Sequence, residues 1–179
     1  MSTFFEMNPK HFDYNVFRLI GDKWGLLSAK KESEFNMMTV SWGTFGVLWG
    51  KNIVNVFVRP QRDTYEFIEN SDTFTLCFFD ENYHKSMETA GRISGRDFDK
   101  VKECGFTPII DGDAVYYEEA KYVFICRKLY RDAFHPEQFT DKSIPDSVYT
   151  AKDYHISYVG EIERILVRRE EEKIDNILL

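Results

Sequence analysis

The spacing of apolar and polar positions changes period several times along the chain, and each change marks an element. The opening, through about Ile20, has weak periodicity and reads as an arm leading into the fold. Residues 24–30 read as a strand, Glu32-Ser33-Glu34 as the turn after it, and residues 36–42 as the next strand. Gly43, Gly46 and Gly50 punctuate the following connection, as glycines do at bends or close backbone approaches. Residues 53–58 form a short apolar strand, which Pro60 stops because proline cannot donate to a ladder. Asp63 or Thr64 then caps a short helix reaching Asn70.

In the second half, Phe74, Leu76 and Phe78 alternate with Thr73, Thr75 and Cys77 in strand fashion. Tyr83, Met87 and Ala90 recur at i, i+4 and i+7, which is helical spacing. Ser94-Gly95 breaks that helix. A second one begins at Asp97, turns Phe98 and Val101 inward and stops at Gly105. Residues 115–117 and 122–129 read as paired strands, and residues 141–150, with Pro145, as a polar surface loop. The last strand starts near Tyr154. Ile156, Tyr158 and Ile162 share one phase while Ile165 and Val167 take the other, so a bulge or bend falls around Glu163-Arg164. The charged run 168–173 reads as a solvated terminal helix. Six or more short, mostly non-parallel strands with helices between them predict one mainly-β domain over residues 1–179, a barrel with helical decorations.

Composition narrows the function classes. A net charge of -7 argues against a general nucleic-acid binder, because that affinity comes from Lys and Arg neutralising phosphates. Three widely spaced cysteines, with no CxxC, read as buried thiols of a cytoplasmic protein. The four histidines lack metal-ligand spacing, and no stretch approaches the ~18 apolar residues of a membrane span. GxGxxG and GxxxxGK[ST] are absent, as is regular βαβ alternation, which counts against Rossmann and P-loop nucleotide sites.

The chemistry concentrates between Asn36 and Thr64. On a strand, Thr39, Ser41 and Gly43 share one small, hydroxyl-bearing face, and Val40 and Trp42 share the other. A planar ring could lie close to such a face. At the end of the adjacent strand come Arg59 and Arg62, whose guanidinium forks suit a phosphate, with Thr64 as a hydroxyl donor. A helix starting near Asp63 would add free N–H groups to the same anion site. A flat aromatic ligand with a phosphate tail needs both surfaces.

Asn36-Met37-Met38-Thr39-Val40-Ser41-Trp42-Gly43, then Trp49-Gly50-Lys51, then the run from Val58 to Glu66, resembles the flavin reductase-like family, particularly its flavoredoxin branch. The block from Ile93 to Lys100 resembles the family's second block, and Asp153-Tyr154-His155 with Gly160-Glu161-Ile162 its closing strand. The resemblance implies a Greek-key-like, FMN-binding split β-barrel with inserted short helices, working as a homodimer with the flavin near the subunit interface. It implies that Asn36, Met37, Met38, Thr39, Ser41 and Trp42 line the isoalloxazine and ribityl chain. Arg59, Arg62 and Thr64 would hold the phosphate, Ser94 and Lys100 would complete the phosphate or ribityl side, and His155 would approach the flavin or the partner subunit. The chain departs from the family at Asp63, where an aromatic residue is common; a carboxylate there either caps the helix or opposes the phosphate.

The expected activity is FMN-dependent oxidoreduction, with NADH or NADPH passing hydride to the flavin and no protein acid, base or nucleophile required. Two other readings use the same residues. One is a flavoredoxin-like electron carrier with tightly bound FMN and a protein redox partner. The other is a non-catalytic barrel that has lost its ligand.

Overall fold

The computed structural model describes residues 3–169. Its frame is one antiparallel sheet with strand order β3-β2-β6-β9-β10-β5-β4. In chain order these strands are β2 (Gly25–Lys31), β3 (Glu34–Val40), β4 (Gly43–Leu48), β5 (Lys51–Val58), β6 (Thr73–Phe78), β9 (Tyr122–Ala133) and β10 (Ile156–Arg168). The path begins at β3 and ends at β4, yet these two are consecutive in sequence and joined by Ser41 and Trp42 alone. Laid flat, strands six steps apart would be about 29 Å distant. The linker reaches about 11 Å at most. The sheet must therefore curl until its two ends meet, and the fold is the expected curled antiparallel barrel.

Its interior holds Leu27, Val56, Leu76, Phe78, Phe124 and Ile165. The outer face of β2, β6 and β9 is buried as well. Leu26, Cys77 and Val123 pack there beneath α3 (His84–Arg92) and a separate hairpin of β7 (Pro108–Asp111) and β8 (Ala114–Tyr117). Burial on both sides explains why these strands carry apolar runs where simple alternation would be expected.

Several elements differ from the sequence reading. The opening arm holds β1 (Phe4–Met7), paired with the end of β10, and α1 (Val16–Gly21), capped by Asn15. The glycine-punctuated connection is a strand, β4. It is an edge strand: Gly46 faces open space, while at Gly43 a methyl would lie 3.3 Å from Ile20 Cγ1, a close approach of the kind strand glycines mark. It joins β5 through a two-residue hairpin at Trp49 and Gly50, both with positive φ (53° and 71°), which suits the strand twist. Residues 115–117 pair with β7 rather than with β9, which lies between β6 and β10. The polar loop contains α5 (Ser143–Val148). The helix expected from Asp97 is α4 (Lys100–Cys104): Asp99 caps it, accepting from Lys102 N at 3.2 Å, so Phe98 stays outside the helix and is 52% exposed. Gly105 ends it with φ 69°, as expected.

In β10 the pairing with β9 slips between Ile162 and Arg164, the expected bulge, and again between Val159 and Gly160. Gly160 has a packing reason: a methyl there would lie 2.6 Å from Phe74 Cε1. Arg168 closes β10; the rest of the expected terminal helix, from residue 170, lies outside the described residues. The three cysteines are free and buried. No helix among the described residues is long and apolar enough to cross a membrane.

Candidate functional site

The site is built where β3 leaves the sheet. Thr39 Oγ1 donates to Met87 O at 2.5 Å and ties the strand end to α3. One turn along α3, Gly91 lets the helix approach closely, since a methyl there would lie 3.3 Å from Thr39 Cβ. Val40 is buried in the barrel. Trp42, expected on the same face as Val40, is 51% exposed, because the chain has left the sheet at Ser41 and strand alternation no longer applies.

A first cleft of about 200 Å³ opens here, lined by Met38, Thr39, Ser41, Trp42, Arg59 and His155. The Trp42 and His155 rings are 5.4 Å apart. His155, at the head of β10, is buried and shares a 2.8 Å hydrogen bond between Nδ1 and Tyr149 Oη. Burial, and then the charge of Arg59, push its pKa down to about 4, so the ring is neutral near pH 7. Arg59 is itself committed. It is ion-paired with Asp153, donates to Val148 O at 3.1 Å, and lies 5.3 Å from the Tyr149 ring centroid. Asp153 also accepts from Gln61, while its buried Oδ1 has no hydrogen-bond partner.

A second cleft, of about 170 Å³, lies beside it and is lined by Arg62, Thr64, Arg92, Ser94 and Lys100, with the Asp63 carboxylate on its border. Gly91 connects the two: it packs on Thr39, and its carbonyl accepts from Arg62 Nη2 at 2.7 Å. α2 (Thr64–Glu69) starts at this cleft with Thr64 buried in its first turn. Burial lowers the Arg62 pKa. Lys100 is buried at the start of α4, and its Nζ donates to Met37 O at 2.5 Å. Burial, and then the charge of Arg62, bring its pKa down to about 8, against the opposing pull of Cys104 and Asp63. Among the described residues neither cation is ion-paired with a carboxylate. Two partly desolvated cations and two hydroxyl side chains face the cleft, and the one carboxylate on its border, Asp63, is held by Asn36 and Arg96, so the balance is positive and an anion would stabilise it. With six residues, α2 is too short for its dipole to dominate, so Arg62 and Lys100 carry the positive character.

The expected residues therefore separate into groups. Met38, Thr39, Ser41, Trp42 and His155 line the first cleft, and Arg59 lies there too, away from the phosphate-like cleft. Arg62, Thr64, Ser94 and Lys100 meet in the second. Asn36 and Met37 line a third cleft of about 380 Å³ beyond Asp63. Asp63 occupies the position before α2, but its side chain makes no cap bond; it is held by Asn36 and Arg96 instead. Sequence reasoning did not name Arg92 or Tyr149, and it quoted Asp153 only within the closing block, without a role. Arg92 carries a weak signal as a cation two residues before the Ser94-Gly95 break. Tyr149 sits on α5's C-terminal cap, in the stretch read as loop, and had none.

The chemistry of both donor sets fits a planar ring on the first cleft and a phosphate in the second. Solved structures share the fold. The FMN-binding domain of a flavin reductases-like enzyme from Shewanella baltica OS155 aligns with TM-score 0.67 at 15% identity, over 92% of this chain and 77% of that one. Flavoredoxin from Methanosarcina acetivorans aligns with 0.62 at 21%, over 84% and 69%. Nitrilotriacetate monooxygenase component B from Bacillus cereus aligns with 0.64 at 16%, over 93% and 83%. No curated protein matches the chain in sequence. Residues 17–178 match the model of the flavin reductase like domain, and the chain belongs to the flavin reductase-like family.

Proposed function

We propose that this protein binds FMN and acts as an oxidoreductase that draws electrons from NADH or NADPH. The observation that carries this reading is the second cleft: Arg62 and Lys100 are desolvated cations without carboxylate partners, and they stand next to the hydroxyl-lined end of β3. A protein leaves such charges unpaired at a cost of several kcal/mol unless a ligand supplies the counter-charge. When bound, FMN supplies the redox chemistry itself. The protein's residues do the rest. Arg62, Lys100, Thr64 and Ser94 hold the phosphate, and Thr39, Ser41 and Trp42 position and shield the ring. Neutral His155 offers a hydrogen-bonding edge without adding charge beside it.

We infer further that two copies pair with the flavin near their interface. Edge strand β4 and the hairpin turn that follows it expose Val47, Leu48 and Trp49, which supports a covered surface there. The three buried thiols suit a reducing compartment such as the cytoplasm.

Titration with FMN tests the reading. Quenching of flavin fluorescence with saturable binding is expected, and a folded protein that leaves FMN and riboflavin free in solution would rule it out. Stopped-flow mixing of the loaded protein with NADH or NADPH then separates the roles. Rapid bleaching of flavin absorbance supports the reductase, and its absence points to an electron carrier served by a protein partner. Light scattering on the eluting protein reports its mass and so tests the dimer.

A further inference from the structure

The phosphate-like cleft is closed on one side by a bar of three residues from three elements. Asn36 on β3 donates its Nδ2 to Asp63 Oδ2 at the entry to α2. Gly95, on the loop between α3 and α4, lies directly against this contact, and a methyl there would sit 2.7 Å from both Asn36 Nδ2 and Asp63 Oδ2. Arg96 Nε donates to the other carboxylate oxygen at 3.0 Å, and Asn36 Oδ1 accepts from Met37 N at 2.7 Å. Beyond the bar lies the third cleft, whose walls include Glu34, Phe35, Phe98 and Asp99. Asp63 and Lys100 border both spaces.

We propose that Asp63, held across Gly95 by Asn36 and Arg96, is the residue that sets which form of flavin this protein takes: it accepts a terminal phosphate and rejects a flavin whose phosphate continues into a second phosphate and a nucleoside. The inference rests on the flavin reading above. A terminal phosphate is close to dianionic and keeps three free oxygens for Arg62, Lys100 and the hydroxyls of Thr64 and Ser94. A bridged phosphate carries one charge and two free oxygens, so it gains less from the same cations. Its continuation has two routes. Past the bar, the second phosphate meets the Asp63 carboxylate, with Glu34 and Asp99 beyond it. Arg96 compensates Asp63 only in part, because its side chain is 64% exposed and screened by water while that of Asp63 is 14% exposed. Like charges brought together here act against the longer ligand. Out to solvent, the continuation makes no contact that would offset the weaker phosphate. Either route disfavours the dinucleotide. The carboxylate that departs from the family pattern thus acts as a selectivity element without displacing the phosphate site.

The test is fluorescence titration of the intact protein with riboflavin, FMN and FAD, comparing wild type with Asp63→Asn and Arg96→Ala. Wild type is expected to bind FMN about tenfold or more tighter than FAD. D63N keeps the shape of the bar and removes its charge; because the carboxylate borders the phosphate cleft as well, both ligands should bind tighter, FAD more than FMN since its second phosphate must pass the bar, and the FMN to FAD preference should shrink several-fold. R96A leaves the carboxylate uncompensated, so the preference should widen. Arg96 is largely exposed, which keeps that arm readable if D63N fails to fold by circular dichroism. Equal affinity of wild type for FMN and FAD, or variants that shift both ligands by the same factor, would overturn this inference alone. Failure of folded wild type to bind FMN would overturn the flavin reading and this inference with it.

Discussion

Arg59 and Arg62 stand three residues apart on one turn, and their surroundings are opposites. Arg59 is satisfied within the chain: Asp153 pairs with it, Val148 accepts from it and Tyr149 covers it. Arg62 is half-buried with a carbonyl for company, and its neighbour Lys100 is another cation. Both look alike in sequence as a pair of guanidinium groups before a helix. The difference teaches that charge compensation, more than the presence of arginine, distinguishes a structural cation from a ligand-binding one. A compensated guanidinium offers an incoming phosphate little, since binding must first break an existing pair. An uncompensated one gains on binding what it lost on burial.

That comparison breaks most sharply by substitution. Replacing Arg62 with alanine should weaken FMN binding roughly 100-fold, as expected for a desolvated charge-assisted contact, and leave riboflavin binding nearly unchanged. Its melting temperature should hold or rise, because a strained charge is removed. Replacing Arg59 should do the reverse. Asp153 would lose its counter-charge and keep only Gln61, lowering stability, read as a lower urea midpoint, with a smaller effect on FMN. If the two variants exchange these signatures, the assignment of roles is wrong.

The sequence carried the barrel strands well where one face or both were apolar, and it carried the joint significance of residues 36–64. It carried β4 poorly. Glycines 43, 46 and 50 mean a bend by local rules, but strand pairing with β5 and an open edge override them. The partner of β8 was equally illegible, because pairing depends on which strands β9 lies between and not on proximity in the chain. Within the site, Arg62, Thr64, Ser94 and Lys100 could be named in advance, yet nothing in their spacing tells which arginine is already paired. Asp153, which decides that, lies 94 residues from Arg59. The fate of Asp63 was open for the same reason: its partners Asn36 and Arg96 come from other elements.

Lys100 sharpens the comparison through pH. Its pKa of about 8 means that it is charged near neutrality and loses its proton as pH rises through 8. A bound phosphate would raise that value, so the charged form binds better. The FMN dissociation constant should fall from about pH 6 to 7 as the phosphate takes its second charge and then rise, approaching tenfold by about pH 9.5. Riboflavin, with no phosphate, should show no such rise, and Lys100→Met should flatten the rising limb of the FMN curve at a weaker affinity. A rise shared by riboflavin would move the effect away from the phosphate.

The smallest effect belongs to the compensated side and comes from His155. Its folded pKa, about 4, lies below the ordinary value of 6.5, with burial as the main cause, Arg59 second, and Asp153 pulling the other way. Above pH 6.5 the ring is neutral in both folded and unfolded chains and has no pH-dependent cost. Between 6.5 and 4 the unfolded chain takes up a proton that the folded chain refuses, so stability falls as pH falls. One such proton corresponds to about 1 kcal/mol for each pH unit in that window. Urea midpoints at pH 6.5 and 5.5 should differ accordingly, and His155→Gln should remove most of that difference. Arg59→Ala tests the link to the first cleft. Without the guanidinium the His155 pKa should climb, so the midpoint should still begin its fall near pH 6.5, where the unfolded chain titrates, but end that fall at a higher pH and lose less in total. An unchanged profile in that variant would mean that burial alone keeps His155 neutral, and that the charge beside Trp42 and Ser41 is already cancelled by Asp153.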